Sequence, residues 1–290
     1  MSRRDKPSFT DHLSNAAFSL VMRRLMRLPY DRRIPAGGRL LTRLAPVLGY
    51  SRRIRANLAL ACPDLSEPEV NRLVREVPDN IGRCLAEMYS GEEFLARIRD
   101  VVPEGPGAAH LAHLRDTGRP CVLVTGHFGN YDVMRGALVA QGYPIGALYR
   151  PMNNSLFNEH YLEVIHRISE PLFARDRRGM SSMIRHLKSG GMIGLAADQY
   201  FRKGAVLQFF GQPAPSPLSS AELALKLDVD MMPIYSIREP DGLSFRIEVE
   251  APIPHTTAEE MTQISNDSLE AQVRKNMDQW LWIHRRWRKS

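Results

Sequence analysis

Residues 121–134 read CVLVTGHFGNYDVM, and this stretch decides the expected fold. Its first five residues are apolar or β-branched, which is typical of a short strand buried on both faces. Gly126 then marks a tight turn, and helical periodicity follows to residue 141. Because parallel strands are joined by crossover helices, the stretch predicts one strand–helix unit of a parallel sheet.

The same alternation continues along the chain. Buried strands are predicted at 145–149, 192–196 and 231–235, with an antiparallel addition at 243–249, and helices at 130–141, 155–169, 178–188 and 218–227. Residues 60–98 are predicted to be helical, with Asp64 or Ser66 as an N-cap and a break at Pro78. The fold class is therefore α/β, with a central mixed, partly parallel sheet flanked by helices and with N-terminal amphipathic helices.

Composition supports one substantial core. The chain has 290 residues, of which 43% are hydrophobic, and this excludes collagen-like and low-complexity classes. Its three cysteines, at 62, 84 and 121, form no C-x-x-C pair, which indicates a reducing compartment and no thiolate zinc site.

Charge is distributed unevenly. Residues 1–55 carry 13 Lys and Arg against 3 Asp and Glu, and residues 285–290 add four cations and no acid. The body between them is net negative, although the whole chain is +7. Basic termini on an acidic body indicate that the ends meet an anionic surface, either membrane lipid or nucleic acid.

Two amphipathic helices are predicted near the N-terminus. The first places Phe18, Val21, Met22, Leu25 and Leu28 on one face and Arg23, Arg24 and Arg27 on the other. The second has a stripe of Leu40, Leu41, Leu44, Val47 and Leu48 with Arg39 and Arg43 at its margin. The apolar run 16–22 is too short to span a bilayer, and no signal-peptide cleavage pattern follows it. We predict a basic membrane-associating helical region at 1–50 and a single α/β domain at 51–290; the alternative is that both helices pack on the protein's own core.

The C-terminal segment is aromatic and basic. All three tryptophans, Trp280, Trp282 and Trp287, lie within eight residues, beside several arginines. Indole rings and arginines favour the membrane interface, and they also stack on single-stranded bases. No RNA-binding or helix-turn-helix motif accompanies them, so the predicted partner is an anionic membrane surface and not nucleic acid. The alternative is a last helix that docks Trp280 and Trp287 into the core.

The turn after the first strand carries the candidate chemistry. Parallel sheets bind ligands beyond the carboxyl ends of their strands, and His127 and Asp132 follow such an end. With His127 in the turn and Asp132 in the first helical turn, the carboxylate can reach one imidazole nitrogen and leave the other to accept a proton from a hydroxyl. The alternative is a helix-capping aspartate and a histidine with a structural hydrogen bond.

Other catalytic motifs are absent from the sequence. There is no G-x-S-x-G, S-x-x-K or cysteine beside a histidine, so the nucleophile is expected to come from a substrate. There is also no H-E-x-x-H, P-loop or G-x-G-x-x-G. Glu163 and His166 form an isolated E-x-x-H pair, which we interpret as chance spacing, and no metal site is predicted.

Residues 126–132 resemble the H-x-x-x-x-D/E signature of the lipid A biosynthesis lauroyl/myristoyl acyltransferases, a branch of the lysophospholipid acyltransferase-like superfamily. Further segments resemble that family in the same order: 55–58 with 62–65, then 149–151, 198–199, 209–211 and the closing 279–287. The resemblance covers about residues 50–288.

The resemblance implies transfer of a fatty acyl group from an acyl carrier protein or CoA thioester to a lipid hydroxyl, at the cytoplasmic face of the bacterial inner membrane and without a metal or redox cofactor. His127 would be the general base and Asp132 its partner. Expected substrate-binding residues are Gly129, Asn130, Arg150, Arg167 and Asp198, with the two arginines holding phosphate or the oxyanion. Arg175, Arg177 and Arg178, near the same edge, are interpreted as surface charge.

The sequence departs from the family at its N-terminus, where members commonly carry a strongly hydrophobic segment. We therefore predict peripheral or monotopic attachment. The expected acceptor is a lipid A precursor, and the alternative acceptor is a lysophospholipid or lyso-aminolipid. Alternatives of another class are a lipid or thioester hydrolase and a non-catalytic membrane-binding module. The basic N-terminal region could also dock the acidic acyl carrier protein.

Overall fold

A computed structural model describes residues 9–152 and 155–287. Its helices are α1 (Phe9–Leu25), α2 (Tyr30–Leu44), α3 (Tyr50–Ala61), α4 (Glu67–Tyr89), α5 (Glu92–Ile98), α6 (Ala108–Asp116), α7 (Tyr131–Ala140), α8 (Ser155–Ile168), α9 (Arg177–Lys188), α10 (Ser219–Leu227) and α11 (Ala258–Lys275). Its strands are β1 (Pro103–Glu104), β2 (Cys121–Thr125), β3 (Ile145–Tyr149), β4 (Leu172–Ala174), β5 (Met192–Ala196), β6 (Ala205–Phe209), β7 (Gln212–Ser216), β8 (Asp230–Arg238) and β9 (Phe245–Val249).

The strands form a mostly parallel sheet in the order β1-β9-β8-β2-β5-β3-β4, beside a separate hairpin of β6 and β7. Only the pairing of β8 with β9 is antiparallel within the larger sheet, as far as the described residues extend. This confirms the predicted α/β class and its antiparallel addition. In the register of β2 and β5, Thr125 lies opposite Ala196, so the loops that follow these two strands begin side by side.

Helices cover both faces of the sheet because β2 is apolar on both sides. Cys121 and Leu123 pack in one cluster with residues of α5 and α7, whereas Val122 and Val124 pack in another with residues of α9 and α10. All four of these strand side chains are at most 1% exposed. Burial on both faces explains why β2 appears in the sequence as a continuous apolar run.

Helix α4 begins as predicted but does not break where expected. Ser66 forms a capping box with Glu69, which confirms Ser66 as the N-cap. The break predicted at Pro78 is wrong, since Pro78 lies inside the helix. Leu73, Val77 and Pro78 are buried there, and tertiary packing outweighs the hydrogen bond that proline cannot donate.

Helix α2 belongs to the body of the protein and lies against α4. A Cβ atom on Gly82 would lie 2.4 Å from the carbonyl oxygen of Gly37, so the two backbones approach closely at this glycine pair. Tyr30 and Ile34 are at most 1% exposed. The face of α2 that packs on the core thus carries Tyr30, Ile34 and Gly37, whereas the side chains of the predicted apolar stripe are partly buried or exposed.

Apolar side chains nevertheless remain exposed in the predicted region 1–50, of which residues 1–8 lie outside the described part. They are Leu20, Val21, Leu28, Leu44, Val47 and Leu48, with exposed fractions between 37% and 87%. None of the helices described is long and apolar enough to cross a membrane.

The tryptophan-rich segment is part of the core, and its predicted exposure at a membrane interface is wrong. Trp280 and Trp282 are 1% and 0% exposed, with ring centroids 4.7 Å apart. Each indole N–H has a partner, since Trp282 donates to the carbonyl of Met277 at 2.7 Å and Trp280 donates to Asp198. The alternative that the segment docks into the core is correct for Trp280, although the segment is a short 3₁₀ turn followed by an isolated β-bridge at Trp280 and further turns instead of a helix. Arg288 and Lys289 lie outside the described residues.

Candidate active site

His127 lies in the turn between β2 and α7, and its partner is Asp198. The imidazole Nδ1 is 2.7 Å from Asp198 Oδ1, and the backbone N–H of His127 donates to Asp198 Oδ2 at 2.8 Å. The His127 side chain is 24% exposed, whereas that of Asp198 is 3% exposed. A buried carboxylate thus holds one side of a partly open imidazole.

The loop after β5 places Asp198 beneath the histidine, because β5 pairs with β2 in parallel register. Asp198 also accepts a hydrogen bond from Trp280 Nε1 at 2.9 Å. Burial by itself raises the pKa of the Asp198 carboxyl, but the His127 charge and the donated hydrogen bonds lower it to about 2. Asp198 therefore remains anionic at neutral pH.

The charge of Asp198 sets the state of the imidazole. Burial opposes the imidazolium, but the charge of Asp198 and its hydrogen bond prevail and raise the pKa of His127 above the ordinary value. An anionic carboxylate at Nδ1 favours the tautomer that carries its proton there. The Nε2 atom then carries an acceptor lone pair, to which the side-chain amide nitrogen of Gln199 donates at 3.3 Å. The open side of His127 is consequently able to accept a proton.

The predicted contact between Asp132 and His127 is not what the structure shows. Asp132 Oδ1 instead accepts from Arg135 Nη1 at 2.7 Å, and both side chains are 6% exposed. Residues three apart on a helix share a face, so Arg135 lies within reach of Asp132 on α7. Arg135 also donates to the carbonyls of Ile165 and Ser169 at the end of α8, at 3.5 and 3.3 Å. Arg135, held by Asp132, thus joins α7 to the end of α8.

Gly129 and Asn130, two expected substrate-binding residues, turn inward. Gly129 has φ +56°, and a Cβ atom there would lie 1.7 Å from the carbonyl oxygen of Ser236. Asn130 is 3% exposed and caps α7, accepting from the N–H of Asp132 at 3.1 Å and donating to Glu87 at 2.8 Å. Both side-chain positions are therefore used by the fold and do not line the open side of His127.

A buried ion pair supports this turn from behind. Glu87, on α4, binds Arg238, at the end of β8, through both carboxylate oxygens, and the same carboxylate accepts from Asn130. The Cys84 thiol donates to the carbonyl of Gly129 at 3.1 Å, and burial raises the pKa of this thiol to about 12, so it stays protonated. The turn that carries His127 is thus fixed to both α4 and β8.

The C-terminal segment supports the turn from another side. The N–H of Gly129 donates to the carbonyl of Gln279 at 2.9 Å, and the N–H of Leu281 donates to the carbonyl of His127 at 3.0 Å. Trp280 lies between these two bonds and reaches Asp198. Sequence reasoning missed the roles of Trp280, Glu87 and Arg238; the only signal for Trp280 was the presence of the closing segment in the family resemblance.

The two arginines predicted to bind substrate are in different settings. Arg150 follows the end of β3, on the same edge of the sheet as His127, and is exposed. Arg167 lies on α8, is paired with Glu163 and has 59% of its side chain exposed. The described hydrogen bonds and ion pairs connect neither of them to His127 or Asp198.

Among the residues described, no group of three or more histidine, cysteine or acidic side chains could hold a metal ion. The three cysteines are free thiols. The isolated E-x-x-H pair is accounted for by surface contacts, since Glu163 binds Arg167 and His166 binds Glu170 at 2.9 Å.

The chain is 25% identical to a lipid A biosynthesis acyltransferase of Haemophilus influenzae, over 99% of this chain and 96% of that protein. A lipid A biosynthesis lauroyltransferase of Escherichia coli is 25% identical over 81% of this chain and 78% of its own. A phosphatidylinositol mannoside acyltransferase of Mycolicibacterium smegmatis is 25% identical over 61% and 60%. The model of the bacterial lipid A biosynthesis acyltransferase family matches residues 6–289, so this chain belongs to that family and is an acyltransferase.

Proposed function

We propose that the protein moves a fatty acyl chain from an acyl thioester, carried by acyl carrier protein or CoA, to a hydroxyl of a lipid acceptor, with a lipid A precursor as the first candidate. The observation that carries this proposal is the pairing of His127 Nδ1 with Asp198 at 2.7 Å, which leaves Nε2 on the open side. Two of the relatives are named as acyltransferases of lipid A biosynthesis and of phosphatidylinositol mannoside, and these names support a lipid acceptor.

In the proposed reaction, His127 Nε2 removes the proton of the acceptor hydroxyl while the hydroxyl oxygen attacks the thioester carbonyl carbon. Asp198 stabilises the imidazolium that forms and holds the ring in place. When the tetrahedral intermediate collapses, the C–S bond breaks and the leaving thiolate receives from Nε2 the proton that came from the hydroxyl. The products are an ester and a free thiol. The thioester already activates the acyl group, so we propose that neither a metal nor a redox cofactor takes part.

The other residues divide into those near the open side and those behind the turn. We propose that Arg150 binds a substrate phosphate or the developing oxyanion, because it is exposed at the same edge of the sheet as His127. Arg167 is the weaker candidate for this role because Glu163 already pairs with it. We assign Asp132, Gly129 and Asn130 to positioning the turn. Their contacts are, in that order, with Arg135, Ser236 and Glu87.

We further propose peripheral attachment at the cytoplasmic face of the inner membrane, with the region 1–50 taking part. Exposed apolar side chains on α1 and after α2, such as Leu20 and Val47, lie among arginines. That combination favours an anionic lipid surface.

The test is lipid mass spectrometry of the native host with the gene deleted and then restored as wild type or as His127→Ala. Loss of one secondary acyl chain from lipid A, restored only by wild type, supports the proposal. If a phospholipid or aminolipid gives way to its lyso form instead, the acceptor is the alternative one. Restoration by His127→Ala would refute the chemistry and favour a non-catalytic membrane-binding module. Thioester loss in vitro without any acceptor would identify a hydrolase.

A further inference from the structure

The side of the molecule on which His127 opens carries exposed apolar and cationic residues together. We define the active-site rim as six exposed apolar or cationic residues from the loops that follow β3, β4 and β5 at their carboxyl ends: Arg150, Met152, Arg175, Phe201, Arg202 and Lys203. The turn with His127 follows β2 at the same edge of the sheet. The rim therefore lies beside the opening of the candidate active site.

A hydrogen bond and a cation–ring contact bring the rim together from separate loops. Tyr149 and Ala174 are opposite each other in β3 and β4, and the N–H of Arg175 donates to the carbonyl of Tyr149 at 2.9 Å. This places Arg150 and Arg175 side by side. The guanidinium of Arg175 lies 5.9 Å from the ring centre of Phe201, in the loop after β5. That loop also contains Gln199, which contacts His127 Nε2.

The rim has the composition of a surface that enters a lipid interface. Met152 and Phe201 are 42% and 37% exposed, and Val206, in the adjoining strand β6, is 67% exposed. The four cations of the rim have no ion-pair partner among the described residues. Such a surface is complementary to an anionic bilayer, because the cations can bind the lipid phosphates while the apolar side chains reach the hydrocarbon beneath them.

We propose that the active-site rim is a membrane-docking surface that sets the opening of His127 against an anionic bilayer. The inference rests on the proposed function, because an acceptor held in a bilayer can present its hydroxyl to His127 only if this side of the protein faces the bilayer. It adds a contact surface outside the region 1–50. Helix α1 of that region packs beside α8, the helix that begins shortly after Met152.

The test measures binding of the full chain to vesicles of one-third phosphatidylglycerol and two-thirds phosphatidylcholine by cosedimentation. The rim variant is Arg202→Glu/Lys203→Glu, and the matched control is Arg119→Glu/Lys188→Glu. Both control residues are exposed and precede β2 and β5, at the opposite edge of the sheet. The two variants have the same change in net charge. Strands of five residues separate the edges by about 16 Å, which exceeds the Debye length of about 8 Å at physiological salt.

We expect the rim variant to bind vesicles at least about 10-fold more weakly than wild type, and the control to stay within about threefold of it. Phe201→Ser should weaken vesicle binding, whereas Ile264→Ser should not, although the two side chains are similarly exposed, at 37% and 39%. The rim variant should also lose transfer to an acceptor in vesicles while keeping transfer to the same acceptor dispersed in detergent. Equal vesicle binding by the rim variant and the control would overturn the proposal.

Two other outcomes distinguish the membrane-docking surface from a binding site for the carrier protein and from the proposed acyl transfer. If the rim instead receives an acidic carrier protein, the rim variant keeps its vesicle binding and shows a raised KM for the carrier-bound donor, which overturns the membrane assignment. Vesicle binding needs no turnover, so His127→Ala should bind vesicles as wild type does. Rim-dependent binding by a protein that transfers no acyl group would refute the proposed function and leave the docking surface standing.

Discussion

Two buried aspartates, Asp198 and Asp132, have different partners, and their amide variants are therefore expected to fail differently. Asp198→Asn removes the charge that faces His127 Nδ1, so kcat should fall by about 10²–10⁴-fold. Asp132→Asn breaks the buried pair with Arg135, which should cost about 3 kcal/mol of unfolding free energy. Steady-state kinetics and urea unfolding of both variants distinguish the two roles. A stable Asp132→Asn protein with the larger loss of kcat would assign the catalytic role to Asp132.

The pH dependence of wild type follows from the same pair. A general base must be neutral, and Asp198 raises the pKa of His127, so the rate should fall as pH decreases through a value above that of a free histidine. In Asp198→Asn the raising influence is gone and burial, which lowers the pKa, remains. The acid limb of kcat/KM should therefore move to lower pH in Asp198→Asn and stay in place in Asp132→Asn. A limb that moves only in Asp132→Asn would contradict the assignment.

At the residue scale, sequence could locate the histidine but not its partner. His127 was predictable because a glycine-marked turn after a buried strand places it at the ligand-binding edge of a parallel sheet. Asp198 is 71 positions away, and only the register of β5 on β2 brings it to the imidazole. Asp132, five positions away, appeared to be the partner because sequence spacing does not show that Arg135 binds it.

At the scale of elements, the turn between β2 and α7 tolerates no side chain at Gly129. Gly129→Ala would force a Cβ atom against Ser236, and Gly142→Ala is its matched control, since Gly142 also has positive φ but open space around it. The control should cost about 1 kcal/mol of unfolding free energy from backbone strain. We expect Gly129→Ala to cost several times as much and to lower kcat, because the turn carries His127. Thermal unfolding and turnover test this; equal effects in the two variants would show that the close contact is unimportant.

The C-terminal segment acts on catalysis through Trp280. Trp280→Phe keeps an aromatic ring beside Phe209 but removes the N–H that Asp198 accepts. We expect kcat to fall about 10-fold, since a hydrogen bond to a charged group contributes about 1.5–3 kcal/mol. Trp282→Phe removes a comparable N–H, bound to Met277 and not to Asp198, and is the control for lost stability. Equal kcat values in the two variants would show that the bond to Asp198 does not matter.

Sequence patterns predicted the strands with continuous apolar runs and the antiparallel addition β9, and missed β1, β4, β6 and β7. Strands β2, β3 and β5 were found because burial leaves a continuous apolar run. Strands β1 and β4, with two and three residues, are too short to show a period, and β7 contains Pro213 and Pro215, which argue against a strand. The tryptophan segment was misassigned because indole favours both a membrane interface and a core.

At the scale of the whole molecule, the exposed apolar residues at the end of α2 and just after it predict a contribution to membrane binding that is separate from folding. Leu44, Val47 and Leu48 are 44%, 87% and 47% exposed, so Leu44→Ser/Val47→Ser/Leu48→Ser should leave the melting temperature almost unchanged. If these side chains enter a bilayer, each contributes roughly 1 kcal/mol to the free energy of membrane binding. The triple variant should therefore bind anionic vesicles about 100-fold more weakly than wild type. The single change Ile264→Ser, on α11, is the control for a general surface effect. Since lost apolar insertion is insensitive to screening, the defect should persist at 1 M salt, where the electrostatic part of wild-type binding is weakened. Vesicle binding of the triple variant equal to that of wild type at both salt concentrations would exclude this segment from the membrane contact and leave attachment to the remaining surfaces.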